Sequence, residues 1–353
     1  MKNEKNVSRR NFLKQTSLGV GAGIAGAAMT SFKTDNSTEN VILPGTICAA
    51  TIDLKGLWPD TTRESRIRKV LERMGELAGL KPDIICLPEL FDSIWVDEKK
   101  TVKELAEDEK VPGPVTSRIA EFAMKHNCYV ACPVYTQNDG HFYNSTLLID
   151  RKGKIAGVYH KTHPTATEIL KNGVFGAGVS AGALNQPVIQ TDFGKVGMQI
   201  CYDANWVDGW DNLKKQGANI ILFSSAFPGG KMLNHYALEN SCYIISSTGD
   251  DARIIDISGN DLNTSSQYVR YAWANINLEK VSVFTWPTNG KLPGIFNKYG
   301  NRLGIKVWHE NGVVTIESHD PQIKAADVLK EFNIPTSEEH LRNMYTVQIK
   351  YRL

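Results

Sequence analysis

The sequence predicts a mixed α/β fold with buried sheets, on three observations. Short, almost wholly apolar runs such as Asp83–Leu87 and Asn219–Phe223 have the character of strands covered on both faces. Between such runs lie segments with apolar residues at helical spacing, and Gly marks the turns where strands follow one another directly. The 353 residues are 42% hydrophobic and 22% charged, an ordinary globular composition that excludes a mainly disordered, collagen-like or disulfide-packed chain. A chain of this length can bury a sizeable core in one large domain or two medium ones.

The elements follow in order. Thr46–Leu54 reads as a strand and residues 62–80 as a helix, with Ile67, Val70, Leu71, Met74, Leu77 and Ala78 on one face. The apolar strand Asp83–Leu87 ends in Pro88-Glu89, and residues 115–127 form a second helix with Ile119, Phe122 and Ala123 inward. Strands Tyr129–Tyr135, Asn144–Asp150 and Lys154–His160 come in series, with Gly140 and Gly153 at their turns. A Gly- and Thr-rich loop over 161–186 leads to strands Val188–Thr191 and Val196–Ile200, the second running straight into Cys201. Helix Trp206–Gln216, strand Asn219–Phe223, helix Met232–Asn240 and strand Tyr243–Ser247 follow, then further strands to about residue 317. From Pro321 the expectation is two short helices and an extended end, Tyr345–Leu353. Two short helices cannot bury their apolar residues alone, so this end is expected to dock on the body or on a second subunit of a homodimer or larger homo-oligomer.

The net charge of +2 is unevenly placed. Residues 1–27 carry Lys2, Lys5, Arg9, Arg10 and Lys14 against Glu4 alone, so the remainder is mildly acidic and gives no reason to expect nucleic acid as a partner. Ser8-Arg9-Arg10-Asn11-Phe12-Leu13-Lys14 precedes an uncharged, Gly-rich run from Gln15 to Phe32 and resembles a twin-arginine export signal. Residues 1–33 are read as that signal, cleaved near Ala27 after Ala25-Gly26-Ala27, and residues 34–43 as a linker. The protein is then expected to engage the twin-arginine export machinery and to reach the periplasm, or to stay anchored if the signal is uncleaved. Cys48, Cys86, Cys128, Cys132 and Cys242 lie in or beside strand-like runs, without the spacing of a metal knuckle, and read as buried free thiols.

Three segments place a reactive side chain just after an apolar strand, where functional groups of buried sheets collect. They are Cys86-Leu87-Pro88-Glu89-Leu90, Val158-Tyr159-His160-Lys161-Thr162-His163 and Gly197-Met198-Gln199-Ile200-Cys201-Tyr202-Asp203. Singly, Glu89 could be a helix cap, Lys161 a solvated charge and Cys201 core filling. His160 and His163 have no third ligand at helical or hairpin spacing, so they read as hydrogen-bonding residues, and neither a metal nor a cofactor is expected.

In this chain order and with these flanks, Glu89, Lys161 and Cys201 resemble the nitrilase superfamily of carbon–nitrogen hydrolases. Gly217-Ala218-Asn219, Ala237-Leu238-Glu239-Asn240-Ser241-Cys242-Tyr243 and Ile254-Ile255-Asp256-Ile257-Ser258-Gly259 extend the resemblance, which runs from Ile47 to Leu278. It implies a four-layer α-β-β-α sandwich as a single catalytic domain over 44–318, with 319–353 as a C-terminal extension and possible dimer contact. It also implies Cys201 as nucleophile, Glu89 as general base and acid, Lys161 as stabiliser of the oxyanion, and Glu168 as a supporting glutamate. Tyr202 and Trp206 lie close to Cys201 in sequence and are expected to line the substrate pocket.

Nitrile-specific members usually follow the cysteine with Trp-Glu, whereas here Tyr202-Asp203 follow. That favours a small non-peptide amide as substrate. The continuation Asn205-Trp206-Val207-Asp208 lacks the Arg and Pro of many amidase-type members, which leaves the particular amide open. A nitrilase is the alternative within the family; a small-molecule-binding protein on a retired enzyme scaffold is the alternative of another class.

Overall fold

A computed structural model describes residue 43 and residues 45–170 and 178–352. The export signal, its cleavage point and nearly all of the linker lie outside the described residues.

The chain opens with β1 (Thr46–Ile52), helix α1 (Arg63–Glu76) and β2 (Ile84–Cys86). Helix α1 starts where the Thr62 side chain accepts from the Ser65 N–H, and it buries Ile67, Val70 and Met74, the face its spacing predicts. A short helix α2 (Val102–Leu105) and strand β3 (Glu107–Asp108) precede α3 (Pro114–His126), which begins with Pro at its first turn. Then come β4 (Tyr129–Asn138), β5 (His141–Ile149), β6 (Ile155–His160) and the four-residue helix α4 (Ala166–Ile169). Strands β7 (Ile189–Gln190) and β8 (Lys195–Ile200) lead through a 3-10 turn, Cys201–Asn205, into α5 (Val207–Lys215). Next are β9 (Ile220–Ser224), α6 (Gly230–Asn240), β10 (Tyr243–Ser247), β11 (Ala252–Ile255), β12 (Asp261–Thr264) and β13 (Tyr271–Asn277).

Two sheets carry the architecture. The first has the order β13-β1-β2-β4-β5-β6, with β3 beside β4; the second has the order β12-β11-β10-β9-β8-β7. Central pairs are parallel, β1 with β2 and β8 with β9, while hairpins close the flanks. The sheets face each other across Ile84, Ala131 and Tyr159 on one side and Met198, Ile200, Leu222 and Ile245 on the other. Helices α1 and α3 cover the outer face of the first sheet with Val70, Met74, Ile119 and Phe122. Helices α5 and α6 cover the second with Trp210, Leu213, Leu233 and Ala237. The result is the expected α-β-β-α layering. Each fully buried aliphatic or aromatic side chain in these interfaces contributes about 1.5–3 kcal/mol by leaving water.

The last part differs from expectation in two ways. Residues 281–318 are not strands alone: β14 (Val281–Phe284) is followed by α7 (Thr285–Thr288) and α8 (Leu292–Tyr299) before β15 (Leu303–Trp308) and β16 (Val313–Ser318). These strands form a separate three-stranded sheet, β14-β16-β15. Val283 and Ile316 of this sheet pack with Ile295 of α8 and with Val328 and Leu329 of α9 (Ala325–Glu331), so the packing runs across residue 318. The predicted extended end is also incorrect, because α10 (Ser337–Ile349) continues through Tyr345. Reciprocal capping by Thr336 and Glu339 starts that helix, and no residue on it is buried. The alternating run from Tyr345 looked strand-like, but local capping prevails.

Candidate active site

Both sheets deliver a side chain to the same place. Glu89 follows β2 and Lys161 follows β6, both in the first sheet, while Cys201 follows β8 in the second. Lys161 Nζ donates to Glu89 Oε1 at 2.8 Å and to both Glu168 oxygens at 3.0 Å. Glu89 Oε2 accepts the Ala226 N–H at 2.9 Å, a contact from just past β9 that joins the two sheets. Cys201 lines the same cavity, within electrostatic reach of Glu89 and Lys161. Glu89, Lys161 and Glu168 are only 4%, 2% and 6% exposed. Carboxylates and an ammonium so buried persist because they pair and are hydrogen-bonded.

Local backbone geometry turns these groups inward. Leu90 and Cys201 both have φ of +46°, in the left-handed region that side chains rarely occupy. Such a residue costs about 1–3 kcal/mol and persists where its surroundings over-determine it, typically at functional sites. Around Cys201 the determinant is Asp203, whose carboxylate accepts from the Ile200 N–H (3.0 Å), the His163 N–H (2.7 Å) and the Tyr159 hydroxyl (2.9 Å). Glu168 sits in α4, where the Thr165 N–H and hydroxyl both donate to its Oε2.

The charges follow from these contacts. Burial first, and then the negative charge of Glu89, push the Cys201 thiol up to about 12, against a smaller pull from Lys161. At neutral pH the resting sulfur is therefore a thiol. Burial disfavours the Lys161 ammonium, but the negative charges around it, Glu89 foremost, outweigh this and raise its pKa. Burial alone would push the Glu168 carboxyl up; Lys161, Asn144 and the Thr165 N–H outweigh it, and the net direction is down. The site thus holds a fixed cation beside an acceptor carboxylate and a protonated sulfur.

Glu89, Lys161, Glu168 and Cys201 line one cavity of about 350 Å³, a size that suits a small molecule. Tyr202 and Trp206 do not line it, contrary to expectation. The 3-10 turn after Cys201 carries them outward, where they are 42% and 36% exposed. Trp206 stacks on His163 with ring centroids 4.4 Å apart, and Tyr202 meets its edge at 4.8 Å. His160 Nε2 hydrogen-bonds Glu109 at 2.6 Å, and the His163 ring lies at ion-pair distance from Asp203 and Asp208. Among the described residues, no cluster of three His, Cys, Asp or Glu could hold a metal ion. All six cysteines are free thiols, four buried, with Cys48 and Cys201 half-buried.

One residue went unnoticed in the sequence. Asn144, on β5, donates through Nδ2 to Glu89 Oε1 at 2.8 Å and to Glu168 Oε1 at 2.9 Å. Its carbonyl accepts the Lys161 N–H, so a single residue ties all three charged groups together. A lone Asn in a strand carries no motif, and only the pairing of β5 with β6 reveals it.

This site on an α-β-β-α sandwich defines a class, and the comparisons agree with it. The carbon–nitrogen hydrolase family model matches residues 48–282, and the chain belongs to that family, within the nitrilase superfamily. It is similar to the nitrilase and fragile histidine triad fusion protein NitFhit of Drosophila melanogaster, 26% identical over 209 residues, covering 56% of this chain and 45% of that protein. The chain spans about half the length of the NitFhit proteins it matches. It is also 27% identical over 217 residues to the deaminated glutathione amidase of Dictyostelium discoideum, covering 56% of this chain and 74% of that one. Among solved structures, Caenorhabditis elegans NitFhit superposes with a TM-score of 0.57 at 22% identity, covering 73% and 66% of the two chains. An amidase from Nesterenkonia sp. superposes with a TM-score of 0.55 at 14% identity, covering 67% and 93%.

Proposed function

We propose that this carbon–nitrogen hydrolase is an amidase that cleaves a small non-peptide amide through a thioester on Cys201. The observation that carries this reading is the convergence of Glu89, Lys161 and Cys201 on one cavity, with Lys161 bonded to Glu89. The presence of deaminated glutathione amidases among the relatives supports amide over nitrile chemistry, as does Tyr202-Asp203 after the nucleophile.

The sulfur is protonated at rest, so attack and deprotonation are coupled. Glu89 takes the thiol proton as Sγ forms its bond to the amide carbon. The carbonyl oxygen becomes an oxyanion beside the Lys161 ammonium, which burial in a dry site makes more effective. Glu89 then gives its proton to the departing nitrogen, the C–N bond breaks, and ammonia or an amine leaves a thioester. Water attacks the thioester, giving its proton to Glu89; the C–S bond breaks and the proton returns to the sulfur as the acid leaves. Glu168 and Asn144 are positioning residues that hold Lys161 and Glu89.

The test is ammonia release from a panel of primary amides and the matching nitriles. Amides should be hydrolysed at rates that Cys201→Ala abolishes while chelators leave them unchanged. Turnover of nitriles but not amides would select the nitrilase reading. Binding without turnover of either would select a retired scaffold. The N-terminal twin-arginine pattern supports periplasmic export as part of the same proposal; N-terminal sequencing of the exported protein should begin just after Ala27.

A further inference from the structure

Beyond the catalytic groups, the cavity has a second wall that no charge requirement explains. Trp95 and Phe227 meet edge to face with centroids 6.1 Å apart, and Trp58 also packs on Trp95 at 5.3 Å. Trp95, Phe227, Leu90, Ile94 and Tyr135 line the same space as Cys201.

This wall is held in place at some cost. Trp95 has φ of +55°, a genuine outlier for so bulky a residue. The segment it belongs to is clamped by Arg66, fully buried, whose guanidinium donates to the carbonyls of Phe91, Ile94 and Trp95 at 3.4, 3.0 and 3.4 Å. Behind the indole, Gly249 leaves the room it needs: a Cβ there would lie 2.6 Å from the ring and 2.5 Å from the Ala226 carbonyl. Strain that the surroundings maintain this firmly marks a position with a task. Phe227, by contrast, is 57% exposed, an apolar ring left open at the mouth.

Three of the four cations that line the cavity are already paired with carboxylates of the protein. Arg63 pairs with Asp92 at 2.7 Å, Lys100 with Glu98 at 2.8 Å, and Lys161 with both glutamates. Lys99 is exposed at the rim. A carboxylate on the substrate would have to displace a carboxylate of the protein or turn to the exposed Lys99 at the rim, whereas an apolar group meets the aromatic wall. From this geometry we infer that the site is selective for uncharged amides carrying an apolar group about the size of one aromatic ring, seated in the cavity against the Trp95–Phe227 pair. The inference rests on the amidase reading for turnover but not for binding.

The experiment compares kcat/KM for 3-phenylpropanamide, N-benzylacetamide, acetamide and succinamate, and measures binding of the same compounds to Cys201→Ala by calorimetry. One of the aromatic amides should exceed acetamide and succinamate by at least about 100-fold, since hydrophobic pockets gain roughly 10-fold or more per well-placed increment. Trp95→Ala and, separately, the open-mouth variant Phe227→Ala should each reduce that ratio about 10-fold or more, mainly through KM. Preference for succinamate, lost in Lys99→Ala, would overturn the inference, as would equal ratios in wild type and both aromatic variants. If Cys201→Ala binds the aromatic amides selectively while wild type hydrolyses no amide, the amidase reading fails and the apolar selectivity stands.

Discussion

Replacing Asn144 with Ala removes one side chain that two buried carboxylates share. Its Nδ2 donates at 2.8 and 2.9 Å to Glu89 and Glu168, which are 4% and 6% exposed. A hydrogen bond to a charged group contributes about 1.5–3 kcal/mol, so two set an upper range of about 3–6 kcal/mol. Water entering the vacated space restores part of this, which places the expected loss of stability at about 2–4 kcal/mol. The catalytic effect is separate. Without the amide, Lys161 alone fixes the side of Glu89 that faces away from Ala226, and a displacement near 1 Å costs about 100-fold in rate. Guanidinium unfolding and kcat/KM on the best amide measure the two effects, with circular dichroism as a check on the fold. Asn144→Asp should be worse in both, because it buries a third carboxylate beside two others. An Asn144→Ala protein within about 0.5 kcal/mol and threefold of wild type would refute the reasoning that Asn144 organises the site.

Other expectations follow from the same contacts. Glu89→Gln should lower kcat by about 100- to 10,000-fold through loss of the base. It should also shift alkylation of the Cys201 peptide to lower pH, because Glu89 helps to hold the thiol up near 12; an unshifted profile would contradict that. His163 is raised above its ordinary value, first by its hydrogen bond with Asp203. Its stabilisation is therefore complete below the unfolded pKa of about 6.5 and is lost as pH rises through the folded value. His163→Gln should accordingly destabilise more at pH ~5.5 than at pH ~8.5, and equal losses at both would count against the pairing. Gly249→Ala should cost about 1–3 kcal/mol by overpacking and lower kcat/KM, since the new methyl presses on Trp95 and on the Ala226 peptide that holds Glu89. Unfolding curves and steady-state kinetics check both effects.

What the sequence revealed about the site depended on how each residue is held. Glu89, Lys161 and Cys201 stood out because each follows an apolar strand, and their order and flanks, through the family resemblance, gave them roles. Glu168 was legible only through the family resemblance, and its capping role in α4 emerged from the structure. Asn144 had no local signature, since its function comes from strand pairing alone. Tyr202 and Trp206 misled because proximity in sequence is not proximity in space: with Cys201 at positive φ, the chain turns away immediately after it. The Trp95 and Phe227 wall comes from two loops 132 residues apart, each shaped by tertiary contacts that local patterns do not record. In the fold, the alternation of strands and helices was legible from periodicity, while the four-layer arrangement came from the family resemblance. The C-terminal sheet was not, because helices α7 and α8 are short and interrupt its strands. The signal for α10 was present as Thr336-x-x-Glu339, but the alternating residues after Tyr345 concealed how far the helix runs.

The most direct test of the central claim is the mass of the Cys201 peptide from enzyme acid-quenched during amide turnover. Cys201 should carry the substrate's acyl group, and Cys201→Ala should carry no adduct and release no ammonia. An adduct on another residue, or ammonia release that persists in Cys201→Ala, would contradict the account.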